Sequence, residues 1–224
     1  LALNSKKTPH VLATSRQKLP LLAGSKDEKL IARGAYVVSR EGDKSKLDFI
    51  IIATGSEVNM ALKAQNLLLI QVYNVRVVSM PSVDVFRRQD AKYIKQVLPA
   101  PKNRRIAVEI LTSFGWHEWA DYTMSLDRFG YSAPQKDILE HIKYTPETLA
   151  KLVEAIINPK SVKVEDVYSA KPEDVIPPAI HDLDQELEVA LPIEEGQVME
   201  QPKLDEEVEE KEPKKKTGKI KKVS

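Results

Sequence analysis

Arg16 is the sharpest candidate for chemistry in this sequence. It follows the apolar stretch His10-Val11-Leu12-Ala13-Thr14, which reads as a lone strand, and it precedes a connection containing Pro20 and Gly24. Open α/β sheets place their ligand contacts just past a strand end. A guanidinium there can hold a phosphate through two parallel hydrogen bonds. By residue type alone, the competing reading of Arg16 is a surface ion-pair partner. Gly55-Ser56-Glu57, at the end of an apolar run, could seat an anion at a helix N-terminus. It lacks the three-glycine dinucleotide pattern and reads more simply as a βα turn that needs a small residue. His117 could exchange protons with Glu109 or Asp121, but Phe114, Trp116, Trp119 and Tyr122 around it speak for packing or a subunit interface. Asp127-Arg128 reads as a local ion pair that fixes the turn into Gly130. His10, His141 and His181 are isolated and have no metal-ligand spacing. No Ser/His/Asp arrangement, phosphate-binding loop or pair of carboxylates at catalytic spacing stands out.

The elements that would position these groups alternate between strand and helix. Ala35–Ser39, Asp48–Ala53, Arg76–Ser79, Arg105–Ile110 and Tyr122–Leu126 are short apolar or β-branched runs, the pattern of buried strands. Met60, Ala61, Ala64, Leu67 and Leu68 recur at helical spacing behind Ser56, a candidate N-cap, with Glu57 in the first turn. Ala91–Leu98, Phe114–Tyr122, Gln135–Ile142 and Pro146–Ile157 are predicted helices. Ser132 and Pro134 suit the start of the third of these, and Thr145, Pro146 and Glu147 the start of the last. Such alternation predicts an α/β fold with a mostly parallel five-stranded sheet flanked by helices.

The 224 residues include no cysteine. Disulfides and thiolate metal sites are excluded, and a reducing, cytoplasmic setting is the natural expectation. No apolar run approaches the roughly 20 residues of a membrane helix. Leu1 to Lys7 lacks the order of a signal peptide and reads as a chain entered mid-domain. The net charge of +1 gives no case for nucleic-acid binding, yet it hides an asymmetry. Residues 1–160 hold 24 Lys and Arg against 16 Asp and Glu, and residues 161–224 hold 10 against 17. The 159–224 stretch is broken by prolines and ends in an acidic and then a basic run, so a disordered charged tail is expected.

Four segments together carry a family resemblance: Ser15-Arg16-Gln17-Lys18-Leu19-Pro20, Ala53-Thr54-Gly55-Ser56-Glu57-Val58, Val77-Val78-Ser79-Met80-Pro81-Ser82, and Asp127-Arg128-Phe129-Gly130-Tyr131-Ser132-Ala133-Pro134. In that order and at those distances they resemble the C-terminal part of a transketolase, from about residue 10 to 157. The resemblance implies that residues 1–20 close the pyrimidine-binding middle domain, 21–33 form a linker and 34–158 form the C-terminal domain. It implies a thiamine-diphosphate enzyme that moves a two-carbon ketol unit between sugar phosphates in the pentose phosphate pathway, with Arg16 binding the sugar phosphate. It also implies a homodimer, and thiamine diphosphate and magnesium held by the N-terminal and middle domains. The Gly-Asp-Gly segment of the family's metal motif is not in this sequence, so no catalytic, cofactor-binding or metal-binding residue is assigned within it, and the chain is expected to need an N-terminal partner. Gln71-Val72-Tyr73 stands where the family has a glycine-bearing turn. Two alternatives remain at this point: a non-catalytic interaction module derived from a transketolase, and the related C-terminal domain of a 2-oxoacid dehydrogenase β subunit or a deoxyxylulose-phosphate synthase.

Overall fold

The computed structural model describes residues 6–15, 17–22, 24–43, 46–160 and 167–168. Arg16 and nearly all of the expected tail lie outside the described residues.

Five strands form one sheet: β1 (Tyr36–Ser39), β2 (Phe49–Ala53), β3 (Val75–Ser79), β4 (Arg105–Val108) and β5 (Tyr122–Met124). Their order is β1-β3-β2-β4-β5. β2 pairs in parallel with both β3 and β4, β4 pairs in parallel with β5, and only the edge strand β1 runs antiparallel, against β3. The expected five-stranded, mostly parallel α/β sheet is thus present, with the strands at the expected places.

The run Phe49-Ile50-Ile51-Ile52-Ala53 lacks polar alternation because β2 is covered on both faces. Phe49, Ile51 and Ala53 join a core with Val75, Val77, Ile106 and Val108 under the helices α2 (Glu57–Ile70) and α6 (Pro146–Ile157). Ile50 and Ile52 face the other side, against Phe86 of α3 (Val83–Arg87), Tyr93 and Val97 of α4 (Ala91–Val97), and Trp116 and Trp119. Each fully buried Phe or Ile side chain of β2 contributes about 1.5–3 kcal/mol.

The helix starts follow local capping chemistry. Thr145 accepts the Thr148 N–H at 3.2 Å, with Pro146 in the first turn of α6. Asp90 accepts the Tyr93 N–H at 2.8 Å and opens α4. Two helices escape the sequence pattern: α1 (Glu28–Ile31) and α3 are too short to show a period. Only their caps signal them, Asp27 and Ser82 accepting first-turn N–H groups.

Several local expectations are corrected. Ser56 has helical backbone angles and caps nothing; its hydroxyl donates to Glu57 Oε2 at 3.1 Å. The helix α5 (Gln135–His141) starts after Pro134 and has no side-chain cap, so Ser132 does not serve it. The helix expected over Phe114–Tyr122 shrinks to the 3₁₀ turn Trp116–Glu118, because Gly115 at φ 84° redirects the chain and Tyr122 already belongs to β5. Residues 10–14 form no strand: they are exposed, and no strand among the described residues offers them a ladder. Val167 and Tyr168, inside the segment read as tail, pack against the core.

At the amino ends of the strands a bidentate ion pair ties β1 to β3. Arg76 donates to Glu41 at 2.7 and 2.8 Å and to the carbonyls of Gln96 and Val97 at 2.9 and 3.1 Å. These bonds from Arg76 hold the buried Glu41 carboxyl below its usual range, so the pair's stabilising effect is present near neutral pH and is lost as pH falls through the folded value.

α2 ends in a Schellman motif, in which the Val72 N–H donates to the Leu69 carbonyl and the Tyr73 N–H to the Leu68 carbonyl, both at 3.0 Å. Val72 therefore sits at φ 70°, a region that suits glycine and strains a β-branched residue. It is 77% exposed, so its side chain contributes little packing. Val72→Gly is expected to raise the free energy of unfolding by about 1 kcal/mol. Urea denaturation checks this, and an unchanged or lower midpoint would contradict it.

Candidate functional site

β2 leads through α2 to β3 on one side of it, and β3 leads through α3 and α4 to β4 on the other. The direction of winding reverses at β2, so a crevice between the carboxyl ends of β2 and β4 is where this topology places ligands. Gly55 turns the chain out of β2 at φ 56°. A methyl group on it would lie 3.6 Å from Glu57 Oε2 and 3.9 Å from Ser15 Oγ. The Ser15 segment therefore crosses directly over the β2–α2 turn.

Glu57 opens α2 and is buried. Burial pushes its carboxyl up, the negative charge of Glu109 adds to this, and the backbone and Ser56 hydrogen bonds only partly offset it. Glu109 follows β4; its N–H donates to the Met124 carbonyl at 3.2 Å and its carboxylate accepts the Leu111 N–H at 3.1 Å. Tyr144 donates to the same Met124 carbonyl at 3.3 Å. Burial raises its phenol strongly, and the charges of Glu57 and Glu109 raise it further. Tyr168 donates to the Ser125 carbonyl at 2.9 Å and is pushed up to about 12, chiefly by burial. Both phenols hold their protons at neutral pH and serve as donors to backbone, not as bases.

Beside this cluster, Asp127 fastens two loops together. Its Oδ1 accepts the Ser113 N–H at 2.7 Å and the Thr112 hydroxyl at 2.9 Å. Burial raises its carboxyl, but these bonds outweigh burial and hold it below the usual range. Arg128 stacks over the Tyr131 ring at 4.7 Å instead of pairing with Asp127, which corrects the expected ion pair. The pairing fails because the Asp127 carboxylate is directed across to the Thr112-Ser113 loop.

The structure brings together a pair of carboxylates that spacing in the sequence did not single out. Glu57 and Glu109 lie 52 positions apart, and the charge of Glu109 acts on Glu57 because β2 and β4, which lead into them, are neighbours. Among the hydrogen bonds of the described residues, His117 meets neither Glu109 nor Asp121. Its carbonyl accepts from Lys102 at 2.7 Å, and Lys102 also pairs with Asp121 at 3.7 Å. Among the described residues no three His, Asp or Glu side chains gather to hold a metal ion. A cavity of about 680 Å³ opens at the opposite end of the sheet, between the Glu41–Arg76 pair, Leu47 and Arg104, away from the strand carboxyl ends. The described cluster can position and orient; it contains no activated nucleophile with a base beside it.

Comparison with known proteins gives a consistent result. The family model of the transketolase-like TK C-terminal domain matches residues 34–145. A probable transketolase of Streptococcus pneumoniae is 43% identical over 156 residues, which is 68% of this chain and 23% of that protein. The Bacillus subtilis transketolase is 38% identical over 163 residues, 70% of this chain and 24% of its own length. Among solved structures, a transketolase of Pichia stipitis in complex with sedoheptulose-7-phosphate superposes with a TM-score of 0.62 at 37% identity, over 70% of this chain and 22% of that one. The chain spans about a quarter of the length of the curated relatives it matches.

The raised carboxyl of Glu57 has a stability consequence of definite sign. A folded value above the unfolded one favours the folded state at and below the unfolded value, and that advantage is lost as pH rises through the folded value. Glu57→Gln, which retains an acceptor for Ser56, is expected to gain melting temperature relative to the unchanged chain between about pH 4 and pH 7. A melting-temperature difference that is flat across this range would contradict the assignment.

Proposed function

The chain belongs to the transketolase-like C-terminal domain family, and on that premise we propose that it is the C-terminal portion of a transketolase, serving the transfer of a two-carbon ketol unit between sugar phosphates. The single observation that carries this reading is the match of 34–145 to the family, in a chain whose four diagnostic segments stand in the family's order. The reading assigns the chain a positioning role. Thiamine diphosphate and magnesium belong in it to the parts that precede this region in the longer relatives. Among the described residues no metal-ligand set gathers. A homodimer and a cytoplasmic setting are part of the same proposal, supported by the family and by the absence of cysteine.

Within this chain, Arg16 is the residue proposed to touch substrate. Its role would be to grip the terminal phosphate of the sugar with a forked pair of charged hydrogen bonds, supplying orientation and not bond making. Its neighbour Ser15 lies against the Gly55 turn, so the β2–α2 junction would set where the segment that leads into Arg16 is held.

In the assembled enzyme, Arg16→Ala is expected to raise KM for phosphorylated sugars by about 10- to 100-fold, the size of one charge-assisted hydrogen bond. KM for unphosphorylated sugars should be little changed. Steady-state kinetics with matched sugar pairs checks this, and an equal effect on both members of a pair would contradict the role.

A further inference from the structure

The cavity at the amino ends of the strands, about 680 Å³ in volume, falls within the roughly 300–1,000 Å³ of small-molecule sites. The Glu41–Arg76 pair, Leu47 and the Pro99-Ala100-Pro101 stretch line it, together with Asn103 and Arg104. A second cavity of about 300 Å³, beside Tyr122 and Ile157, is bordered by the same Asn103 and Arg104. The run Lys102-Asn103-Arg104-Arg105 divides its work. Its outer residues hold the turn: Lys102 donates to the His117 carbonyl at 2.7 Å and pairs with Asp121 at 3.7 Å, and Arg105 donates to the Ala100 carbonyl at 2.6 Å and to those of Leu98 and Trp119 at 3.1 Å. Its inner residues are exposed, and among the described residues the side chains of Asn103 and Arg104 have no hydrogen-bond or ion-pair partner. Glu41 also lines the larger cavity, but both of its oxygens are taken by Arg76, whose remaining bonds go to the Gln96 and Val97 carbonyls. The uncommitted charge in the lining is therefore the guanidinium of Arg104.

We propose that this cavity binds a small organic anion, a carboxylate or phosphate monoester carried on an apolar body. Arg104 supplies a forked pair of donors that matches two oxygens of such a head group. The Asn103 amide adds a neutral donor beside it. Leu47, Pro99 and Pro101 offer the body an apolar wall, and the two prolines keep that wall stiff. Lys102 and Arg105 order the turn through bonds of their own, so a ligand need not spend binding energy on arranging it. An inorganic anion would use only the donors and leave the apolar wall wet, which favours an organic one. The inference stands on the cavity and its lining, and does not depend on the ketol-transfer reading.

The test is a titration of the full 224-residue chain with benzoate, phenyl phosphate, inorganic phosphate and benzyl alcohol, followed in proton–nitrogen NMR spectra. Benzoate or phenyl phosphate is expected to shift the Asn103 side-chain amide and the backbone amides of 102–105 saturably, and a response to one of them alone identifies the head group. Inorganic phosphate, which lacks the body, and benzyl alcohol, which lacks the charge, are each expected to bind about tenfold or more weakly than the better aryl anion. Arg104→Ala is expected to weaken that anion about tenfold or more and, as an exposed substitution, to leave the melting temperature within about 2 °C. If Arg104→Ala does not fold, Arg104→Lys carries the same test, because it keeps the charge and loses the fork. The proposal is overturned if neither aryl anion shifts these amides saturably up to about 10 mM. It is equally overturned if benzyl alcohol binds as well as the anions, or if loss of the Arg104 guanidinium leaves binding unchanged. The readout is binding and not turnover, so its outcome is separate from that of the Arg16 role.

Discussion

β2 is held between two parallel neighbours with both faces covered, and the other features of the molecule depend on that constraint. A strand in this position must be apolar at every residue, and Phe49 to Ala53 meets the demand. It must also leave the sheet by a sharp turn, since α2 packs back over it; Gly55 at φ 56° provides that turn. Because β3 and β4 flank it on opposite sides, the chain reverses its winding there, and the carboxyl ends of β2 and β4 mark the switch point where such folds place ligands. The Ser15 segment, Glu57 and Glu109 are all placed by this one arrangement.

The two ends of the sheet use charge differently. At the amino ends, Glu41 and Arg76 satisfy each other fully, and the arginine's remaining bonds go to backbone carbonyls. That is a structural pairing, and breaking one partner of such a buried pair is costly. At the carboxyl ends, Glu57 has only a neighbouring serine and its own backbone to offset burial, and Glu109 adds a like charge. A carboxyl held against its preference near the arriving chain segment is the kind of perturbation that collects where proteins meet ligands or other domains. Asp127, by contrast, is well satisfied and fixes loops whose apolar groups face outward.

Much of this was readable before the structure. The five strands were visible as short apolar runs, since parallel strands covered on both faces show no polar alternation. α6 announced itself through Thr145, Pro146 and a strong 3.6-residue period. What failed to show had physical causes. α1 and α3 are a turn or so long, too brief for periodicity, and only Asp27 and Ser82 mark them. The stretch from Phe114 to Tyr122 looked helical because Trp116 and Trp119 recur at spacing three, which a single 3₁₀ turn satisfies equally well. The Asp127–Arg128 pair seemed evident from adjacency, yet Asp127 found its partners 14 and 15 positions upstream, a long-range choice that no local pattern encodes. The action of Glu109 on Glu57 is likewise a product of strand order.

On the function proposed above, this chain is a positioning part of a ketol-transferring enzyme. The most direct measurement is ketol transfer from a ketose phosphate to an aldose phosphate, assayed with thiamine diphosphate and magnesium, for the unfused chain and for the chain joined to the upstream part of a relative. The expected result is no transfer by the unfused chain and restored transfer by the joined protein. Transfer by the unfused chain, or a folded joined protein that transfers nothing, would contradict it.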